Sequence, residues 1–337
     1  MAPPRRHACA LIAAIARRAP RYAGPAARAL HPTPRRAGGR AARMLRATPR
    51  GPFALLATGA AAVALGGCAD DRPYMTARAV GPPPGLPGPA EQDAAVKRFA
   101  AVGRPIRCGG GRRRFVALTF DDGPGPYTGK VLRELRRAGA HATFFVVGDS
   151  VHRFPSLMRH ERAAAAIGNH TMTHANLRAL TDAAVRAEIE GGRATALHAA
   201  GGPVDLFRPP YGSRNAEIDR EVQGEGMAQI LWSVDSADSR RAPPADFHEI
   251  AERASQNSRP GSIVLLHENR GQTLRALRSI LPALKRRRLR AVTVPELLAA
   301  DPPSPAQLAA GQRGCDPPAV RNRARRAARK RAKQAAR

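Results

Sequence analysis

The chain has 337 residues and a formal net charge of +30, with 56 Lys and Arg against 26 Asp and Glu. Aromatic residues supply only 4% of it, so the positive charge lacks the interleaved rings that stack on bases, which argues against a nucleic-acid-binding module. Residues 1–67 carry twelve arginines and no acid, so twelve of those charges belong to a segment expected to be absent from the mature protein, leaving +18.

In chain order, residues 1–43 read as a basic extension that is removed or not translated. Residues 44–67 read as a signal peptide: Met44 starts it, Arg46 and Arg50 form its basic end, and Phe53 to Leu65 form an apolar run too short to span a bilayer. The alternative, a buried Ala-rich helix, lacks an amphipathic pattern. Residues 68–112, with Gly81-Pro-Pro-Pro-Gly-Leu-Pro-Gly-Pro89, read as an extended semi-rigid linker. From 113 to 300 short apolar runs alternate with helical patterns (Gly129 to Gly139, Thr181 to Ala199, Glu217 to Gly226), which predicts a parallel α/β barrel. Residues 301–337 end in Arg321-Asn-Arg-Ala-Arg-Arg, a run with no apolar side chain larger than alanine, read as a disordered basic tail. That tail either attaches to anionic wall polymers or phospholipid headgroups, or is a solvated terminus without a partner. Cys108 and Cys315 flank the barrel segment and either close as a disulfide in an oxidising compartment or remain free thiols.

The chemistry-bearing residues sit where apolar runs stop. Phe115-Val-Ala-Leu-Thr-Phe120 closes on Asp121-Asp122-Gly123-Pro124, so a buried strand delivers two carboxylates to its carboxyl end. His170-Thr-Met-Thr-His174 places two imidazoles close enough to share a metal with one of those aspartates, leaving an open coordination position. Three more runs end in the same way: Phe207-Arg208-Pro209-Pro210-Tyr211-Gly212, Leu231-Trp232-Ser-Val-Asp235-Ser-Ala-Asp238, and Gly261-Ser-Ile-Val-Leu265-Leu266-His267. Five such strand ends in order predict one shared mouth. The Gly109-Gly-Gly111 run has no helix after it and is not read as a phosphate-binding loop.

These motifs resemble the polysaccharide deacetylase family, the carbohydrate esterase family 4 enzymes with the NodB homology domain. Ala142-Thr-Phe-Phe-Val-Val-Gly148 resembles that family's second strand, and Val292-Thr-Val-Pro-Glu-Leu-Leu298 resembles its closing segment. The resemblance implies a distorted (β/α) barrel and a divalent metal, zinc first, held by Asp122, His170 and His174. It also implies hydrolysis of N-acetyl groups on a polysaccharide amino sugar. In the same terms Asp121 is the general base, Arg208 orients it, the Tyr211 backbone N–H meets the oxyanion, and His267 is the general acid. Asp238 is the first choice as the carboxylate behind His267, and Asp235 the alternative. Pro210, Tyr211 and Leu265 line the substrate. The family pattern Asp-x-x-Asp-Trp is broken by Ser239, which removes one wall of the acetyl slot, and Trp232 is expected on a strand, packed into the core. His141, His152, His160, His198 and His248 match no motif and read as structural or surface histidines.

Leu65-Gly66-Gly67-Cys68 resembles a bacterial lipobox. The expectation is therefore an exported lipoprotein, held to the membrane through lipidated Cys68, that deacetylates cell-wall peptidoglycan. Chitin oligosaccharide or xylan is the nearest alternative substrate. A non-catalytic glycan-binding wall protein is the alternative from another class.

Overall fold

A computed structural model describes residues 85–240 and 242–312, with Cys315 and Gln334. The extension 1–43, the signal segment 44–67, Cys68 and the basic run 321–337 apart from Gln334 lie outside the described residues. The strands are β1 (Phe115–Gly123), β2 (Thr143–Val146), β3 (Ala166–Asn169), β4 (Leu206–Phe207), β5 (Ala228–Gln229), β6 (Val234–Asp235), β7 (Ile263–His267) and β8 (Arg290–Val292). The helices are α1 (Pro89–Val102), α2 (Thr128–Arg137), α3 (Gly148–Arg153), α4 (Pro155–Ala164), α5 (Asp182–Ala200), α6 (Ala216–Gly224), α7 (Phe247–Gln256), α8 (Gly271–Arg286), α9 (Val294–Ala300) and α10 (Pro305–Ala309).

All strand pairs in the sheet are parallel, in the order β5-β4-β3-β2-β1-β7-β6, with β8 pairing the start of β1. The sheet curls into a half-barrel clad by helices, the distorted (β/α) barrel expected from the alternating pattern. Side chains on β1 alternate between two cores. Val116, Leu118 and Phe120 pack under the helices with Val131, Leu135 and Leu277, whereas Phe115 and Ala117 face the barrel interior with Phe145 and Ile263. That parity sends Thr119 and Asp121 inward. On β7 the same parity pairs interior Ile263 with Ala117, so Leu265 and His267 continue the interior row.

The three expected helices form as α2, α5 and α6, and the last two are capped as the sequence suggests. Thr181 Oγ1 accepts from Ala184 N at 3.4 Å, and Asn215 Oδ1 accepts from Ile218 N at 2.9 Å.

Three expectations need correction. The segment 68–112 is not a linker throughout: from Pro89 it forms α1, whose Ala95, Val96, Phe99 and Ala100 are buried against the barrel. Their i, i+1, i+4, i+5 spacing is an amphipathic stripe, and burying it outweighs the Pro/Gly-rich approach. The tail does not begin at 301. Asp301 is buried, α10 follows with Ser304 and Gln307 forming a capping box, and Cys315 is joined to Cys108 by a disulfide with Cα atoms 6.0 Å apart. Trp232 lies between β5 and β6 rather than on a strand, although it packs, partly buried, against the interior core as expected.

Candidate active site

Asp121 and His267 are register partners on β1 and β7, so two neighbouring strands deliver them to one end of the barrel. Asp121 is 2% exposed, and its Oδ1 accepts from Arg208 Nη1 at 2.7 Å. Arg208 is fully buried, yet every face of its guanidinium is used. It donates to Thr119 Oγ1 at 2.8 Å, Ile230 O at 3.1 Å and Leu231 O at 3.3 Å, and it lies 4.1 Å from the Phe145 ring centroid. Burial pulls the guanidinium pKa down, but Asp121 opposes that shift and the group remains a cation.

One residue later the chain leaves strand geometry. Asp122 has φ 72°, and the register slips between Asp121 and Gly123, which turns the second carboxylate out of the alternation. Gly123 is required here because a Cβ would overlap the Glu268 carboxylate. His170 and His174 follow β3 on a loop in which Thr171 (φ 69°) and His174 (φ 63°) are also left-handed. Tyr211, in a single turn of 3-10 helix after Arg208, has φ 61°. Four non-glycine residues in this sparsely populated region around one mouth mark backbone held in place by its surroundings.

Asp122, His170 and His174 can each aim one ligand atom into a common space, with those atoms within 4.8 Å of one another. Asp122 Oδ1 lies 3.1 Å from His174 Nε2 and 3.7 Å from His170 Nε2, yet it is buried without a hydrogen-bond partner. His170 Nδ1 is 2.7 Å from Arg208 O, which fixes the proton on Nδ1 and leaves Nε2 a lone pair. Burial holds the His170 pKa down, so the imidazole is neutral. Burial also opposes ionisation of Asp122, but the nearby His174, His267 and His170 hold its carboxyl well below the usual carboxylate range. Two imidazole nitrogens and an ionised carboxylate with an orphaned oxygen form a donor set that fits a divalent cation.

On the other side of the mouth, Asp238 accepts both nitrogens of His267, ring Nδ1 and backbone N, each at 2.7 Å. Thr273 Oγ1 donates to Asp238 Oδ2 at 2.6 Å. Asp238 is therefore the partner, and Asp235 is exposed, with its carboxylate accepting from Ala237 N at 2.7 Å. Burial works against a charged His267, yet the Asp238 pair and the Asp121 and Asp122 charges push its pKa up to about 9. Leu265 and Pro210 are buried beside these groups, Ser239 is half-buried, and Tyr211 is 68% exposed with its ring 4.8 Å from that of His174. Of the unassigned histidines, His141 pairs with Glu296 at 2.7 Å, a structural contact.

The chain matches the family model described as polysaccharide deacetylase over residues 109–230. It is 38% identical over 190 residues to a peptidoglycan-N-acetylglucosamine deacetylase of Bacillus cereus, covering 55% of this chain and 88% of that protein. The chain belongs to the polysaccharide deacetylase family. It is also 37% identical over 189 residues to a chitooligosaccharide deacetylase of Azorhizobium caulinodans, covering 51% of this chain and 89% of that one. The crystal structure of a peptidoglycan N-acetylglucosamine deacetylase superposes with a TM-score of 0.56 at 29% identity, over 60% of this chain and 95% of that one. The protein is thus a polysaccharide deacetylase, a hydrolase.

The deacetylase site also contains residues that sequence reasoning passed over. Thr119 and Asn169 are polar residues in otherwise apolar strands. Thr119 bonds Arg208, and Asn169 Oδ1 accepts from Thr171 N at 2.9 Å, fixing the His170 loop. Glu188 accepts from the backbone N–H of Met172 and Thr173 at 3.1 and 2.9 Å between the two histidines. Glu268 and Glu161 are fully buried and face each other behind Gly123, and burial raises both carboxyls above their ordinary range. Thr128 donates its hydroxyl to Glu268. A polar residue inside an apolar run was the available signal for the first two. Nothing local marks the glutamate pair.

Proposed function

We propose that this deacetylase removes N-acetyl groups from the amino sugars of cell-wall peptidoglycan in a divalent-metal-dependent reaction, with zinc the first choice of ion. The carrying observation is the orphaned Asp122 Oδ1 facing two imidazoles, beside an aspartate held by a buried arginine. Asp122, His170 and His174 would hold the cation, which would supply Lewis-acid polarisation of the acetyl carbonyl and water activation.

The protein's own groups do the rest. Asp121 has Oδ1 committed to Arg208, which leaves Oδ2 to take the proton of the attacking water. The Tyr211 backbone N–H donates to the developing oxyanion, and the left-handed turn at Tyr211 holds it there. His267, kept protonated by Asp238, gives its proton to the departing amine nitrogen. Water adds to the acetyl carbon, the C–N bond breaks, and acetate leaves the free amine on the sugar. Leu265 and Pro210 bound the acetyl side of the site, with Ser239 leaving it wider than a tryptophan would.

The B. cereus relative's name supports peptidoglycan, and the A. caulinodans relative's name supports chitooligosaccharide as the second reading. Acetate release by the purified protein from peptidoglycan and from chitin oligomers, assayed side by side, separates them. Release only from chitin oligomers removes the peptidoglycan reading, and release undiminished after exhaustive chelation removes the metal.

The same reading places the enzyme at the cell envelope, exported and anchored through a lipid on Cys68, with the basic tail against anionic wall polymer. Mass spectrometry of protein from its native host tests the anchor. A mature chain that starts upstream of Cys68 and carries no lipid would overturn it.

A further inference from the structure

The end of the barrel opposite the catalytic mouth carries a second concentration of charge, positive and exposed. Five of the six residues 285–290 are cations, and Arg112, Arg113 and Arg114 precede β1. The fold puts these two runs side by side: Arg290 N donates to Arg114 O at 2.9 Å, and Arg114 Nε donates to Arg288 O at 3.0 Å. The last turn of α2 adds Arg136 and Arg137. Helix macrodipoles favour a cation or two at each helix end, which accounts for Arg137 and Lys285 but not for Arg288, Arg290 or the run 112–114.

The local acids are already used. Glu134 is shared by Arg137 and Arg278 at 3.3 and 3.2 Å, while buried Asp301 holds Arg112 at 3.3 Å and accepts from Arg113 N at 2.8 Å. Among the described residues, no acid pairs with the exposed side chains of Lys285, Arg286 or Arg288. Between α2 and α8 opens a cavity of about 730 Å³. Leucines, including Leu281 and Leu289, form its floor, and Arg137, Lys285 and Arg288 stand on its rim.

We propose that this base is a docking surface for an anionic phospholipid bilayer, the rim cations meeting headgroup phosphates and the leucine-floored cleft admitting acyl-chain carbon. The floor leucines are core residues, but the lining of the open cleft is still largely apolar; a hydrophilic phosphate polymer would match the cations and leave that lining in water, and no aromatic side chain lines the cleft to stack a nucleic-acid base. The consequence is orientation. Asp121 and Asp122 are the seventh and eighth residues of β1, which at about 3.3 Å per residue sets them roughly 20–25 Å from the base, facing away from the membrane. The proposal is separate from the Cys68 anchor and is tested with unlipidated protein.

The experiment is flotation of the full chain with vesicles of phosphatidylglycerol and phosphatidylcholine, against phosphatidylcholine alone, at physiological salt. The triple variant Lys285→Glu, Arg286→Glu, Arg288→Glu should bind the anionic vesicles at least about a hundredfold more weakly, since each cation near such a surface contributes about fivefold and the added carboxylates repel it. Its rate on soluble chitin oligomers should match the parent. A control with Arg325, Arg326 and Arg329 changed to Glu separates the base from the tail. Parent-like vesicle binding by the base variant overturns the proposal, as does a loss confined to the tail variant. So does a loss by the base variant for soluble polyphosphate but not for vesicles. Should the triple variant fail to fold, Lys285→Gln with Arg288→Gln is read in the same assay, with about a thirtyfold loss expected and parent-like binding again overturning the idea.

Discussion

His267 and Asp238 meet at 2.7 Å in a buried setting, and in the proposed reaction that pair would set the alkaline limb. As the proposed acid His267 must carry its proton, so activity should be present below its raised pKa and fall as pH rises through about 9. Asp238→Asn removes the charge that holds the proton, so the alkaline limb of kcat/KM should move to lower pH. An unmoved limb would show that another group is the acid. The same shift stabilises the fold: the folded pKa lies above the unfolded value of about 6.5, so the contribution is complete below that pH and fades as pH rises toward 9. Asp121 carries two burdens that substitution can separate. Asp121→Asn keeps the shape and a partner for Arg208 but cannot take a proton, so the rate should fall by roughly two to four orders of magnitude. Asp121→Ala also leaves a fully buried guanidinium without its counter-charge, at a cost of about 3–5 kcal/mol. Denaturant unfolding of both variants checks this, and equal stability would mean that Arg208 does not depend on Asp121.

Among the elements, α1 and the disulfide extend the domain past the boundaries its motifs suggest. Ile106 bridges Ile230 in parallel, and Cys108 bridges Ser262 in the antiparallel sense, so the segment after α1 stitches the strand edges near β5 and β7. Phe99, 4% exposed, is the largest side chain that α1 buries in the interior core. Phe99→Ala should lower stability by about 3–5 kcal/mol, measured by denaturant, with turnover at low temperature little changed because no catalytic residue lies on α1. A loss of turnover in a fully folded variant would mean that the helix shapes the mouth as well. The amphipathic spacing of α1 is visible in the sequence, but the prolines before it dominate a composition-based reading. The Ser304-Pro-Ala-Gln307 capping box was equally legible and was hidden by the charge run that follows.

At the scale of the whole molecule, the described fold brings Asp122, His170 and His174 together from strand ends far apart in the chain, so binding of the proposed cation should report on folding. With zinc or cobalt at a hundredfold excess over its Kd, the melting temperature should rise by the equivalent of about 2.7 kcal/mol. His170→Ala should abolish most of that rise. A rise of full size in His170→Ala would place the cation elsewhere. This readout does not depend on turnover, so it tests the donor set even if the substrate is not the one proposed.

The sequence by itself determined the family chemistry, because a polar residue that ends an apolar run is costly anywhere but a strand end or a site. Asp121, Asp122, His170, His174, Arg208 and His267 all announce themselves in that way. It ranked Asp238 ahead of Asp235 only through the family resemblance, since both carboxylates close the same short apolar run. The choice rests on Thr273, on a helix 35 residues further along, and on the turn that buries one carboxylate and exposes the other. Nor could it foresee the Glu161 and Glu268 pair, the α1 packing, or the joining of residues 112–114 to 285–290 into one charged base. Each depends on which strands lie beside β1, and non-local strand order is decided by how the two faces of the sheet are buried, not by any local pattern.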